Sequence, residues 1–536
     1  MSLAVRPNHH TSGGWRRIPI AVPKQDPAKT SLVEAGAYIV AILVFWAAVL
    51  RIDFHADEAI YLSSIPVGIG NDAGLVYHLI YLLGSWGTPT PVAGRMTSLV
   101  LGVLLIVFVT RSFQCWFPQR RALVSWLVPV LIAVSYQGIF LTLRVRPEIS
   151  WVLVSAMTVC FLSYAESTKR RVFMVLALAA LLLLPMNHRL AWFPCAFLAV
   201  YLLLFASRSL GWRFTIAGLS AMGLGTILNV VLRAWLAGAD VHEAVAVFCQ
   251  STSSAHRPDL DDFFVNVYWT ACDFLRDGAA AASWWDRTLP RGLSRKVSHF
   301  FFQCALWAAC LPLPLVAKTW RTRYVFAFPL FAFVAFHVSG YYNPTYATIF
   351  SLYSVLAVLY VSLDEGGWRR GVASALVCLS LFNGLSFLAT RVLNHGYASI
   401  YCVEQEIRDL ITRLEPGESI AYPERLMSAG LFHPGPKAVL FKNPIPKDVD
   451  LIIVDDYDFD MYRFVPDYEE RRKEIEAVVA ERREVRSYTE PVYENEKMLA
   501  GSGDPRGSTV QGSWFFRNAV GYRVTVWQRQ EKGPWR

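Results

Sequence analysis

A series of apolar runs, each close to the roughly 20 residues needed to cross a hydrocarbon slab, constrains this chain most. They fall near 32–50, 96–112, 122–140, 149–165, 172–187, 190–207, 214–236, 298–317, 324–340, 345–363 and 371–391, eleven in all. Within a bilayer only helices and closed barrels satisfy their own backbone groups, so runs of this length predict a polytopic α-helical membrane protein. The composition agrees, with 54% hydrophobic and 17% charged residues where soluble domains carry about a quarter charged.

Orientation follows from the short loops. With the N-terminus inside, the inner loops hold Arg111, Arg120 and Arg121, then Lys169, Arg170 and Arg171, then Arg208 and Arg213, then Lys318, Arg321 and Arg323, and finally Arg369 and Arg370. Every inner loop is basic. The segment 1–30 then reads as an uncleaved basic cytoplasmic tail, since no small-residue cleavage site follows the first apolar run. A transmembrane domain spans 31–395, with outer loops at 51–95, 141–148, 185–190, 237–297 and 338–346.

An odd number of spans places residues 396–536 outside. There the texture changes: "VDLIIVDD" (Val449 to Asp456) reads as a buried strand and "DYEERRKEIEAVVAERREV" as a charged amphipathic helix. A small α/β domain is the expected result. This tail carries 20 Lys and Arg against 24 Asp and Glu, so of the overall +9 the membrane part holds +13. Such an excess suits loops at an anionic membrane surface better than nucleic-acid binding.

The nine cysteines show no zinc-like spacing. Cys249 and Cys272 share the long outer loop, where a disulfide between them stays open. Asp456, Asp458 and Asp460 in "DDYDFD" alternate as some metal ligands do, but Met461 stands where a calcium loop needs glycine, so a solvated turn is the better reading.

The chemistry-bearing residues gather on the outer side. "RIDFHADEAIY" follows the first span and brings Asp53, Asp57 and Glu58 to a membrane face. Asp53 reads as a helix cap. Asp57 and Glu58 adjoin aromatic and aliphatic residues, and apolar surroundings raise a carboxylate's proton affinity toward that of a useful base. "LRVRPEIS" offers Arg144, Arg146 and Glu148; opening the next helix accounts for Pro147 and Glu148, though not for two outer arginines. His188 and Arg189 stand together between two spans, and Arg95 opens another. For these, snorkelling to the interface is the alternative to a role in binding. The long loop ends with Arg291 and Arg295 beside Trp284 and Trp285.

A first span followed by "HADEAIY" resembles the GT-C glycosyltransferases, and most closely the aminoarabinose transferases of lipid A and the protein O-mannosyltransferases. "GLVYHLIYLLGSWGTPTPVAGRMTSLVLGVL" and "SGYYNPTYATIFSLYSVLAVLY" are similar to segments of the same group, over roughly residues 30–400. The chain departs from it at Gly340-Tyr341-Tyr342, where many members carry an Arg-Tyr pair before the late proline.

What the resemblance implies is inverting transfer of a sugar from a polyprenyl-phosphate donor to an extracytoplasmic acceptor, in a bacterial inner membrane. Asp57 would be the general base, with Glu58 as the alternate. Arg95, Arg144, Arg146, His188, Arg189, Arg291 and Arg295 are candidates to hold the donor phosphate, which needs cations or donors where charge develops. Glu148 would join Asp57 in binding the acceptor or a divalent metal ion, whose involvement stays open. The rival readings are a transporter or lipid flippase and an assembly protein. Against transport, charges inside the spans are scarce, the ionisable groups gather at one outer face, and no repeated halves of the kind common in transporters are visible. An assembly role does not account for the carboxylates beside the first span.

Overall fold

The computed structural model describes residues 27–51, 91–143, 148–187, 191–237, 344–364 and 367–393 of the helical part. In the tail it describes 418–422, 438–440, 448–455, 468–489 and 523–530, with a few isolated positions elsewhere. The helices are α1 (Pro27–Arg51), α2 (Pro91–Trp116), α3 (Arg121–Val134), α4 (Tyr136–Leu143), α5 (Glu148–Thr168), α6 (Arg171–Leu183), α7 (Trp192–Tyr201), α8 (Trp212–Ala237), α9 (Pro344–Asp364) and α10 (Gly367–Leu393). Four described stretches are long and apolar enough to cross a membrane: Gly94–Trp116, Glu148–Thr168, Trp192–Ser209 and Trp212–Leu232. Leu32–Trp46, Arg171–Met186 and Leu352–Asp364 are shorter apolar helices. The expected span 298–317 and most of 324–340 lie outside the described residues, as do Cys249, Cys272, Asp456, Asp458 and Asp460.

Leu101, Leu131, Trp151, Phe45 and Leu359 are buried in one continuous core. Ile216, Leu224 and Ile227 of α8 and Leu43 of α1 are exposed apolar side chains, as expected of helices whose outer surface meets lipid. At the end of the bundle where α1 begins, charge is locked by hydrogen bonds. The carboxylate of Glu34 receives Arg111 at 2.8 Å and Gln114 at 3.2 Å. Gln114 also donates to Ser125 at 2.8 Å, so α1, α2 and α3 are joined through one amide. Glu166 accepts from Tyr201 at 3.1 Å and Ser209 at 2.9 Å, which joins α5 to the end of the α7 segment. Phe117 packs edge-on against Tyr360 of α9 at 4.8 Å. All the described basic loop residues, Arg111 to Arg370, belong to this end.

Two expected spans are not regular helices. The run 122–140 breaks at Ser135 into α3 and α4. Ser135 takes an extended conformation, its N–H donates to Leu131 O, and its hydroxyl accepts from the Gly138 N–H. Hydropathy is blind to this break because both sides are apolar. The run 190–207 contains a π-helical turn over Leu202–Ala206 before Ser207–Ser209.

In the tail, a five-stranded mixed sheet has the order β2-β1-β3-β5-β4, from β1 (Ile420–Tyr422), β2 (Ala438–Leu440), β3 (Leu451–Asp455), β4 (Arg482–Thr489) and β5 (Arg523–Arg529). Strand β3 is the expected strand, parallel to β1 and antiparallel to β5. Helix α11 (Tyr468–Ala480) lays Ile475 and Val478 against Ile452 and Val454. The expected helix ran on through Val485, but it stops at Ala480 and Arg482–Thr489 forms an edge strand on β5. Pairing across the sheet overrides the helical charge pattern there. Burial of the Arg482 guanidinium pushes its pKa below the usual arginine value, with Arg529 adding to the shift.

Gly384 of α10 meets the Ser135 break so closely that a β-carbon there would overlap the Val134 carbonyl oxygen. We expect Gly384→Ala to lose about 1–3 kcal/mol of stability by overpacking. Gly371→Ala on the same helix, with nothing within 4 Å, should be neutral or gain slightly. Thermal melts of both variants in detergent check the contrast.

Candidate functional site

The end of the bundle opposite the basic loops also buries charged side chains. Arg95, in the first turns of α2, is 2% exposed, and Glu148, the first residue of α5, is fully buried. Neither is isolated. Helix geometry places them at one level. Cys115 and Ser167 are hydrogen bonded at 3.4 Å at the basic end, and Trp116 donates to Ser163 at 3.0 Å, so α2 and α5 run side by side in the same direction. Arg95 lies 20 residues before Cys115 and Glu148 lies 19 before Ser167, which is about 30 and about 28 Å along the two axes at 1.5 Å per residue.

Burial of both is costly in a medium that disfavours charge, so ionisable groups held there are functional candidates. Glu148 also benefits from its place at a helix N-terminus, where the macrodipole favours an anion. Arg95 is buried within the protein, so its guanidinium does not reach out to water as a snorkelling side chain would. A planar guanidinium in a low-dielectric site suits a phosphate, and a carboxylate at the same level suits a hydroxyl or a cation. Among the described residues no three His, Cys, Asp or Glu side chains converge as a metal centre would need. Of Asp57 and Glu148, for which the sequence leaves a metal role open, only Glu148 is among the described residues.

Asp57, Glu58, Arg144, Arg146, His188, Arg189, Arg291 and Arg295 lie outside the described residues. Their described neighbours do border this end. Leu143 and Glu148 bracket the two outer arginines, and Asn187 and Ala191 bracket His188 and Arg189. Two asparagines absent from the sequence candidates are here as well. Asn187 is fully buried and accepts the backbone N–H of Val76 at 3.1 Å. Asn229, 5% exposed, donates to Pro185 O at 2.8 Å. Their signal was available: each is an amide set in or beside an apolar run, which is costly unless the amide has partners.

This geometry can be compared with solved structures. ArnT, an aminoarabinose transferase, from Cupriavidus metallidurans bound to undecaprenyl phosphate superposes with a TM-score of 0.53 at 12% identity, over 95% of this chain and 100% of that one. The fold is that of the GT-C glycosyltransferases. The apo state of the same enzyme gives 0.45 at 13% identity, over 81% and 94% of the two chains. An Archaeoglobus fulgidus oligosaccharyltransferase gives 0.39 at 12%, over 86% and 73%. The fold assignment rests on the first of these, and at such identity the likeness is one of fold. No protein-family profile matches the chain, and no curated protein matches it by sequence.

If Arg95 and Glu148 share one polar site, their substitutions are not independent. Arg95→Met, Glu148→Gln and the double variant should depart from additivity in stability by at least about 0.5 kcal/mol. Additive effects in a double-mutant cycle of melting curves would place the two in separate environments.

Proposed function

We propose that this protein is a membrane glycosyltransferase that moves a sugar from a polyprenyl-phosphate donor to an acceptor on the extracytoplasmic side, with inversion at the anomeric carbon. The observation that carries this reading is a GT-C fold over nearly the whole chain whose buried arginine and glutamate sit at the end away from the basic loops. A structure with the same fold, that of ArnT, holds undecaprenyl phosphate. The basic loops mark the cytoplasmic face of a bacterial inner membrane, which puts the N-terminus inside and residues 396–536 in the periplasm.

In this reading Asp57 takes the proton of the acceptor hydroxyl as its oxygen attacks the anomeric carbon, with Glu58 as the alternate base. The bond from that carbon to the phosphate oxygen breaks, and polyprenyl phosphate leaves with the bonding electrons. Arg95, with Arg144, Arg146, His188, Arg189, Arg291 and Arg295 as further candidates, offsets the charge that builds on the departing phosphate. Glu148 orients the acceptor or, with Asp57, holds a divalent ion.

Asp57→Asn keeps the side-chain shape and removes the base. Transfer from a labelled polyprenyl-phosphate sugar should fall by about 10²–10⁴-fold, with donor binding retained. Full activity in Asp57→Asn would remove Asp57 from the chemical step. Joint loss of binding and turnover would make it a donor ligand.

A further inference from the structure

The turn that follows α6 contains a residue with two jobs. Pro185 cannot donate a backbone hydrogen bond, and the helix tightens there so that the Asn187 N–H bonds to Leu184 O instead of Leu183 O. The Leu183 carbonyl, freed from its helical partner, receives the Asn187 side-chain Nδ2 at 2.6 Å. That is the local job.

The other is long-range. Asn187 Oδ1 accepts the backbone N–H of Val76, 111 residues away in sequence, at 3.1 Å. Val76 belongs to the segment between α1 and α2, the same stretch of chain that carries Asp57 and Glu58. Asn187 directly precedes His188 and Arg189. The turn itself is fixed from the far side, where Asn229 of α8 donates to Pro185 O at 2.8 Å. Gly225, one turn earlier on α8, lies so close that a β-carbon would overlap the Leu182 carbonyl oxygen.

We propose that Asn187 is a positioning residue that ties the segment between α1 and α2 to the α6–α7 turn. It thereby holds the chain that leads into α2 against the turn that leads into α7. Its consequence for turnover rests on the glycosyl-transfer reading; the tie itself does not. A carboxamide suits the place because one side chain must accept from Val76 and donate to Leu183 at once. The bond to a loop amide is a small anchor with a large lever. Misplacing reacting groups by about 1 Å can cost about a hundredfold in rate.

The test is hydrogen–deuterium exchange at the Val76 amide in the full-length protein, paired with steady-state transfer kinetics. In Asn187→Ala the Val76 amide should exchange at least about tenfold faster, the loss of one hydrogen bond of about 1.4 kcal/mol, while amides inside α6 and α8 keep their wild-type rates. The kcat should fall about ten- to a hundredfold, with the donor KM little changed. Asn187→Leu, similar in size and lacking both the acceptor and the donor, should likewise expose the Val76 amide to exchange, and it stands in should the alanine variant fail to fold. Asn229→Ala should leave Val76 protected.

Unchanged Val76 exchange in Asn187→Ala overturns the tie. Faster exchange throughout α6 and α8 overturns it in favour of a purely structural role, and so does faster Val76 exchange with kcat intact. A wild type that transfers no sugar sinks the glycosyl-transfer reading alone, because the exchange rates still decide whether the tie exists.

Discussion

A backbone carbonyl that loses its helical partner inside an apolar slab has no water to turn to, and much of this bundle is arranged around that constraint. One of its long apolar runs is broken at Ser135, and another tightens at Pro185 where it ends. At the first, Ser135 serves as donor to Leu131 O and acceptor from Gly138, while Gly384 of α10 comes in against the Val134 carbonyl. At the second, Asn187 takes up the Leu183 carbonyl, Asn229 takes up Pro185 O, and Gly225 presses against Leu182. The recurring solution is a polar side chain from within the break and a glycine from a neighbouring helix. Close backbone approach through small residues is the usual means of packing membrane helices.

The second constraint is the separation of charge between the ends. The basic end is closed: Glu34, Arg111, Gln114 and Ser125 satisfy one another, and the Glu166 carboxylate accepts Tyr201 and Ser209. The opposite end buries Arg95, Glu148, Asn187 and Asn229 at the mouths of the helices. On the proposed glycosyl-transfer reading, this polar, enclosed end is where the lipid phosphate is held at the membrane face. The low dielectric there strengthens each fixed charge and dipole.

Much of this was legible in the sequence, for physical reasons. Long apolar runs fixed the existence of the helices, because length against bilayer thickness is a strong signal. Glu148 and Arg95 could be singled out because charge at the end of such a run is expensive. Other features had no local signal. The Ser135 break sits in a run apolar on both sides, and the π turn at Leu202–Ala206 changes no hydropathy. The charge pattern after Tyr468 continues without interruption past Ala480, and only pairing with Arg523–Arg529 makes Arg482–Thr489 a strand. The Asn187–Val76 bond joins positions too distant for any periodicity to connect, so a sequence reading saw "MNHR" and valued its basic pair over its amide.

The central claim is that the bond between sugar and phosphate is broken on this protein. It is tested most directly by reconstituting the purified chain in vesicles with a polyprenyl phosphate carrying a labelled sugar and an envelope extract as acceptor source. Label is expected to leave the lipid for an acceptor, with polyprenyl phosphate released in equal amount. Label that crosses to the other leaflet while still joined to its lipid, with no free polyprenyl phosphate formed, would rule out glycosyl transfer and make the protein a flippase.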